Sequence, residues 1–406
     1  MAMALIPITM DKYNDFRLDA IFSACKWDPC VADNNTLSNY VLVLDKSDAE
    51  YLEKATEELS YETIEAENFL KYNNHLAKDL CLPRYITKHL NKLACYNPKE
   101  HVRLMRFDFH PTTEGYKISE VNSDVPAGFA EASRLNELGL KYLEDQNLGT
   151  PRNFGNELIV AIKKHVKSGE SIACIHCTAY SDDRQVVQYI GDRLQENLFN
   201  SVFIGADCIE FRDKKAFSIL KGNETKLGGM VRVFPIEWLK DLPKCYRWTD
   251  YFTTTTMCCN HAVAIYTQTK RFPLVWDKLE KHGLRFDMWR KLLPNTYDPK
   301  DVNLKTSTKE YIIKPALGRV GEDVTIEGTM PQKNIDSIKK LSRRYPKHYI
   351  AQEKFKSVPV LADNGIRYHI CIGAFSVNGK FAGLYGRLSL SPRMDRNAID
   401  AAVVIR

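Results

Sequence analysis

Between residues 106 and 124 the chain reads Arg-Phe-Asp-Phe-His-Pro-Thr-Thr-Glu-Gly-Tyr-Lys-Ile-Ser-Glu-Val-Asn-Ser-Asp, and no other stretch limits the possible folds as strongly. Apolar and polar residues alternate on either side of Thr113-Glu-Gly115, the pattern of a β-hairpin, with Gly115 supplying the left-handed position of a three-residue loop. Such a loop pairs Thr112 with Tyr116. Asp108 then falls opposite Glu120 and Arg106 opposite Asn122, with all four side chains on one face. Carboxylates opposed across strands repel each other, so a cation belongs beside them. Two carboxylates and an amide oxygen are hard ligands that suit one or two magnesium ions shared with a ligand's phosphates, leaving Arg106 for a neighbouring anion. A surface hairpin with solvated polar residues and one internal salt bridge answers to the same pattern.

A second stretch, Lys314-Pro-Ala-Leu-Gly318-Arg319-Val-Gly321, ends a strand at a lysine and enters a glycine-bearing loop before a further strand through Ile326. Glycines let backbone amides approach phosphate oxygens, and Lys314 and Arg319 supply charge. A plain hairpin fits equally well. Near the end, short strands are expected at 349–352, 367–372, 375–377 and 381–385, with Asn378-Gly379 as the turn between the last two and Arg387 just beyond.

Elsewhere the chain alternates helix and strand. Residues 46–95 read as helical scaffold, with Tyr51, Leu52, Ala55 and Leu59 at helical spacing. Thr150-Pro-Arg-Asn153 marks a boundary. A helix of about 15 residues, a buried strand at 171–177, a helix from Asp182 to Asn197 and a strand at 202–204 then compose a βαβ unit. The linker Ala179-Tyr-Ser-Asp-Asp183 carries two acids, which argue for a capped helix and against phosphate binding. A helical run is expected over 270–294. Cys174 and Cys177, on opposite faces of a strand, and Cys258-Cys259 read as small buried hydrophobes before metal ligands.

Composition narrows the class. Lys and Arg number 57 and Asp and Glu 51, a net charge of +6, and the densest basic run, Lys339, Lys340, Arg343 and Arg344, sits on one helix, so no nucleic-acid partner is expected. No window approaches the roughly 18 apolar residues of a spanning helix, and Met1–Met10 has no signal-peptide pattern, so a cytoplasmic protein without a membrane partner is expected. Eleven cysteines, an odd number, read as free thiols.

Taken in order, these stretches resemble the ATP-grasp synthetase module of the glutathionylspermidine synthase family over about residues 100–395. The Arg-x-Asp and Glu-x-Asn-x-Asp array, the Lys-Pro-x-x-Gly-Arg-x-Gly loop and the terminal Gly-Leu-Tyr-x-Arg strand carry the resemblance. Pro235-Ile-Glu-Trp238 and Thr269-Lys270 with Trp276 add to it. It implies an α+β ATP-grasp fold, circularly permuted because the metal-bearing strands come first, with a Rossmann-like pre-ATP-grasp unit at 151–265. An N-terminal helical region and the hairpin would occupy 1–150, and the lid and the rest of the core 266–406. It implies ATP and Mg2+ as cofactors: Asp108, Glu120 and Asn122 as metal ligands, Lys270 and Lys314 on the nucleotide, Gly318, Arg319 and Gly321 in a mobile lid, and Gln352 and Glu353 at the adenine edge. Arg106 and Arg387 would hold the carboxylate and the transferred phosphoryl group. The implied reaction is ADP-forming amide ligation between small-molecule carboxylate and amine substrates, an amino acid, peptide or polyamine. A non-catalytic nucleotide-binding protein and a small-molecule kinase are the alternatives. Two departures count: too few residues precede Arg106 for the family's amidase module, so no amide hydrolysis is expected, and Val125-Pro126-Ala127-Gly128 stands where glutathione-using members have small hydroxyl residues. Asp108→Asn and Glu120→Gln are expected to stop turnover and leave the fold intact, because each relieves repulsion.

Overall fold

The computed structural model describes residues 3–406 apart from 28–29, 32–33, 221–223, 244–246, 304–306, 308 and 320. Its centre is an antiparallel sheet in the order Ile399–Ala401, Lys380–Ser389, Arg367–Val377, Leu104–Thr112, Gly115–Asn122, with Val360–Leu361 paired to the Arg367–Val377 strand. The hairpin and the C-terminal strands, more than 240 residues apart in sequence, thus share one sheet, as the resemblance requires. The Asn378-Gly379 turn forms as expected, with Asn378 at φ 51° and Gly379 at φ 79° joining Val377 to Lys380. The expected strands at 367–372 and 375–377 are one continuous strand, because Gly373 and Ala374 are buried and paired to a neighbouring strand on each side.

The site hairpin departs from its expected turn. The loop has two residues, Thr113 and Glu114, so Thr112 pairs with Gly115 and Pro111 with Tyr116. A bulge at Ser119 then restores the register, and Asp108 still faces Glu120 and Arg106 still faces Asn122. The extra residue has a use: Ser119 turns its carbonyl to Lys314 Nζ at 3.0 Å, and its hydroxyl meets His110 Nε2 at 3.0 Å. Bulges re-aim side chains in this way beside many sites.

A second sheet holds the strands Asn200–Ile204, Ser171–Ile175, Thr225–Arg232 and Met257–Cys259, all mutually parallel, with a meander of Lys215–Ser218 and Ile209–Arg212 at its edge. The small apolar run Ile172-Ala-Cys-Ile175 is buried on both faces, which is what a covered parallel strand needs. Helix Ser181–Glu196 crosses between the first two strands as expected; the helix before them, Phe154–Ile162, has 9 residues where about 15 were expected. A third, small sheet joins Thr296–Tyr297, Tyr349–Glu353 and Tyr311–Pro315, and Ile338 of helix Gln332–Arg344 packs on its Ile313 and Ala351. The strand expected through Ile326 does not form. Residues 316–319 and 321–326 are loop, tied back where Thr325 exchanges two hydrogen bonds with Ile313. The run at 270–294 breaks into the short pieces Phe272–Val275, Trp276–Glu280 and Asp287–Leu292 around Pro273 and Gly283.

Helix Lys46–Leu70 lays Leu52, Ala55, Leu59, Ala66 and Leu70 into the core behind the central sheet. A fourth sheet, Met3–Pro7, Tyr40–Leu44 and Val403–Ile405, brings both ends of the described chain together. Among the described residues no helix is long and apolar enough to cross a membrane.

Candidate functional site

One cavity of about 390 Å³ opens between the central sheet, the small sheet and the carboxyl ends of the parallel strands. The three stretches singled out in the sequence meet there: Arg106, Asp108, Glu120 and Asn122 from the hairpin, Lys270, Lys314, Gly318, Arg319 and Gly321 from the lid side, and Arg387 from the terminal strand.

Asp108 lies at the centre and is fully buried. Its carboxylate accepts Arg106 Nε at 2.7 Å and Nη2 at 3.1 Å, Arg387 Nη2 at 3.0 Å and Asn122 Nδ2 at 3.3 Å. Burial works to raise its pKa, but Arg106 and Arg387 more than offset that and hold it below the usual carboxylate value. Glu120 turns to Lys270 Nζ at 2.9 Å, which keeps its pKa low against the same burial. The carboxylates therefore answer to different cations. Arg106 and Arg387 are each bonded to Asp108 in this structure.

Lys270 also donates to the Gly318 carbonyl at 2.7 Å, and Lys314 to Gln352 Oε1 at 2.7 Å. Burial, with Lys270 adding to it, pushes the Lys314 pKa down to about 8. His110, buried beside Asp108, is pushed down to about 4 by burial, so it is neutral at pH 7. Four cationic side chains, Arg106, Lys270, Lys314 and Arg387, thus surround two carboxylates, leaving a surplus of two positive charges. Arg387 Nε is buried with no hydrogen-bond partner among the described residues. The oxygens of Asp108, Glu120 and Asn122 fit magnesium in type, and the surplus charge and the unbonded Nε fit the phosphates with which it would arrive.

Two assigned residues lie elsewhere. Glu353 faces away to Lys309, Tyr297 and Asn295, because successive residues of a strand point to opposite faces; Gln352, on the face of Lys314, is bonded to it and to Thr296 and lines a second, small pocket with Ser119, Glu120 and Lys270. Arg319 does line the cavity, but its Nη2 meets Glu237 at 2.7 Å and its guanidinium lies over Trp238, so this loop is fastened to the Pro235–Trp238 segment. Val320, within that loop, lies outside the described residues. Asp124, next to the array, is structural: it forms a fully buried pair with Arg232 and accepts the Ile236 backbone N–H at 2.9 Å.

The sequence reading missed the opposite wall. Tyr180, Asp183 and Val186 at the start of helix Ser181–Glu196, and Val233 and Pro235 after the strand Thr225–Arg232, line the crevice at the strands' carboxyl ends, where ligands of open α/β sheets bind. Asp183 makes no ion pair among the described residues; burial, with Asp182 adding to it, pushes its pKa up to about 6. The signal is its place at a strand-to-helix turn, a position that by itself reads as a helix cap. Its carboxylate does accept the Cys177 backbone N–H at 3.3 Å. Pro392, Arg393 and Met394 also line the cavity, and no sequence pattern marked them.

Comparison with known proteins places this geometry in a family. A glutathione synthetase-like effector from Globodera pallida, in its apo form, superposes with a TM-score of 0.64 at 13% identity, covering 98% of each chain, a likeness that speaks for the fold alone. A protein from Methylobacillus flagellatus KT described as a gamma-glutamylcysteine synthetase aligns over 84% of this chain and 85% of its own at 12% identity, with a TM-score of 0.41, and nothing is argued from it. No curated protein matches the chain. The model of the family described as glutathionylspermidine synthase preATP-grasp matches residues 24–398, a span that holds every element of the cavity, so the chain belongs to that family and carries an α+β fold of the ATP-grasp-related synthetase kind.

Proposed function

We propose that the chain is an ADP-forming carboxylate–amine ligase. A substrate carboxylate takes the γ-phosphoryl group of ATP, and an amine then displaces phosphate from the acyl phosphate to leave an amide. The observation that carries this reading is the charge pattern of one cavity: a cationic floor of Arg106, Lys270, Lys314 and Arg387 shares it with a wall bearing Asp183, a carboxylate with no ion pair among the described residues. Phosphoryl transfer needs positioning and charge neutralisation more than a protein nucleophile. Lys270 and Lys314 would hold phosphate oxygens, and Arg106 and Arg387 would place positive charge where carboxylate and phosphoryl group meet. Asp108, Glu120 and Asn122 would hold magnesium, which supplies neutralisation of the phosphate charge when bound. The segment Gly318–Gly321, fastened by Arg319 to Glu237, would keep water from the acyl phosphate. Asp183, ionised at neutral pH, would attract the ammonium and accept the proton an amine must lose to attack.

We read the parallel sheet as a Rossmann-like pre-ATP-grasp unit over 151–265, between a hairpin half at 1–150 and a lid half at 266–406, a circularly permuted order. Val125, Pro126, Val186 and Val233 make the amine wall apolar, which favours substrates with a hydrocarbon stretch, an amino acid, peptide or polyamine. The test is mass spectrometry of products from pooled carboxylates and amines with ATP and magnesium. The proposal expects an amide together with ADP and phosphate. A phosphorylated product formed without an amine would identify a kinase, and ATP bound without ADP release from any pair would leave a nucleotide-binding protein.

A pH effect follows from Lys314. Only its charged form attracts phosphate, and its pKa stands at about 8. Nucleotide affinity is expected to be level below pH 8 and to fall by up to about tenfold per pH unit above it. Calorimetric titration from pH 6.5 to 9.5 checks this, and Lys314→Arg should move the fall upward.

A further inference from the structure

Residues 1–95 lie mostly outside the stretches that carry the resemblance, yet one of them reaches the site from behind. On the face of the central sheet that bears the cavity, Asp108 pairs with Gly373 and Gly373 with Tyr385, while Cys371 pairs with Arg387 and Arg387 with Asp400; Arg106 stands two residues before Asp108 on the same face. The Tyr385 ring is buried under both site arginines, with Arg106 Cζ 5.4 Å and Arg387 Cζ 5.6 Å from its centroid. Gly373 makes room for this stack: a Cβ there would come within 2.8 Å of Arg106 Cδ and 3.0 Å of Tyr385 Cδ1.

The ring is held at its far end. Tyr385 Oη donates to Asp400 Oδ1 at 2.6 Å, and the other Asp400 oxygen accepts Lys26 Nζ at 2.6 Å. Lys26, which follows helix Met10–Ser23, also meets Glu131 at 2.8 Å, and the three charged side chains are about nine-tenths buried. The backbone reinforces the join, since Asp400 N–H donates to Thr36 O and Ser38 N–H to Asp400 O. Arrangements of this sort cost desolvation, and in some proteins buried ionic groups fix a geometry.

We propose that Lys26, acting through Asp400 and Tyr385, is a positioning residue that sets the directions of Arg106 and Arg387 toward the anion they bind. The lysine touches no ligand. It fixes Asp400, which fixes the tyrosine hydroxyl, which fixes the plane on which both guanidinia rest. Their attraction to the ring then limits how far either turns when a ligand draws it from Asp108. This rests on the reading of the cavity as an anion site, but its test does not.

The experiment compares wild type with Lys26→Met, Tyr385→Phe, Tyr385→Leu and, as a control, Lys141→Met at the exposed Asp19 pair. The first readout is the arginine Nε–Hε resonances of ligand-free protein, assigned through Arg106→Lys and Arg387→Lys, which report the ring current of Tyr385. Tyr385→Leu and Lys26→Met should each move both resonances; Tyr385→Phe, which keeps the ring, should move them less, and Lys141→Met not at all. The second readout is calorimetric affinity for inorganic tripolyphosphate, expected to weaken about tenfold in Tyr385→Leu. Unmoved arginine resonances in Lys26→Met and Tyr385→Leu overturn the proposal. Should Lys26→Met not fold, Lys26→Met with Asp400→Asn removes the charges as a pair, and unmoved resonances there overturn it equally. If wild type binds no tripolyphosphate, the anion reading fails while the resonances still decide the role of Lys26.

Discussion

Asp108→Ala is expected to stop ADP release and to cost about 3–5 kcal/mol of unfolding free energy, the penalty for leaving buried charge without its partner. The sequence pointed the other way, to a carboxylate pair whose repulsion a substitution would relieve. In the fold Glu120 is turned to Lys270, and Asp108 is the counter-charge of two buried guanidinia. Its lowered pKa says the same thing: the folded protein favours the ionised form, so removing the charge removes stability. Asp108→Asn keeps an oxygen that can accept Arg106 Nε and should cost less, about 1–3 kcal/mol. Glu120→Gln leaves Lys270 its bond to the Gly318 carbonyl and should change stability by about 1 kcal/mol or less. Activity should not follow this order. Both Asp108→Asn and Glu120→Gln should lower ADP release by at least about a hundredfold, because each takes charge from the place where phosphoryl transfer must be balanced. Urea unfolding and an ADP assay on the three variants separate the two effects. Tripolyphosphate without magnesium should bind Asp108→Asn at least as tightly as wild type, since the positive surplus grows by one. Wild-type turnover in Asp108→Asn would remove Asp108 from the reaction.

What could be read in advance follows sequence distance. The hairpin was legible because its alternation and turn residues are local, and its site pairing came out right although its loop did not. A turn shorter by one residue is compensated by the bulge at Ser119, and no propensity marks that bulge, since its cause is Lys314, which takes the Ser119 carbonyl from another sheet. The strand ending at Lys314 and the turn at Asn378-Gly379 were legible for the same local reason. The illegible parts are partnerships: Arg387 with Asp108, Arg319 with Glu237 and Asp124 with Arg232 each join residues 82 to 279 positions apart. Composition shows that these charges exist and not which of them meet. Gln352 and Glu353 fall on opposite faces of their strand, because a segment can be placed by resemblance while the facing of each residue depends on strand register. The sheet that joins Met3–Pro7 and Tyr40–Leu44 to Val403–Ile405 is the extreme case, and it left the N-terminal region without a reading.

Unfolding by mild acid is expected to begin near pH 6.5, above the range where carboxylates titrate, and its origin lies at the base of the site hairpin. His101 and His261 are buried there with ring centroids 4.7 Å apart, and Tyr96 stacks on both. Each uses Nδ1 as an acceptor, His101 for the Cys258 N–H at 3.1 Å and His261 for the Val263 N–H at 3.3 Å. A ring protonated at both nitrogens cannot accept, so charging either one forfeits a backbone hydrogen bond as well as burying charge. Burial pushes His101 down to about 4, with His165 and Lys215 adding to it. Burial pushes His261 well below the ordinary value, with His101, Arg232 and Lys71 acting in the same direction. With the folded pKa below the unfolded one, the stabilisation is complete above about pH 6.5, where both states are neutral, and is lost as pH falls toward 4, where only the unfolded chain takes up the proton. At about 1.4 kcal/mol per pH unit, His101 alone accounts for about 3 kcal/mol over that window, and His261 and the buried His110, also pushed down to about 4, add to it. Asp108, Glu120 and Asp124, whose pKa values are lowered, surrender their contributions only below about pH 4, so the two causes separate on the pH axis. Urea midpoints at pH 7.5, 6.5, 5.5 and 4.5 should fall through the middle of the series, and His261→Phe, which keeps the stack on Tyr96 and titrates nothing, should flatten the fall. A midpoint constant from pH 7.5 to 5 would rule out the histidine origin. The consequence for the site is direct: Val102 N–H donates to the Cys258 carbonyl and Leu104 N–H to Asn260, so loosening this stack releases the strand on which Arg106 and Asp108 stand.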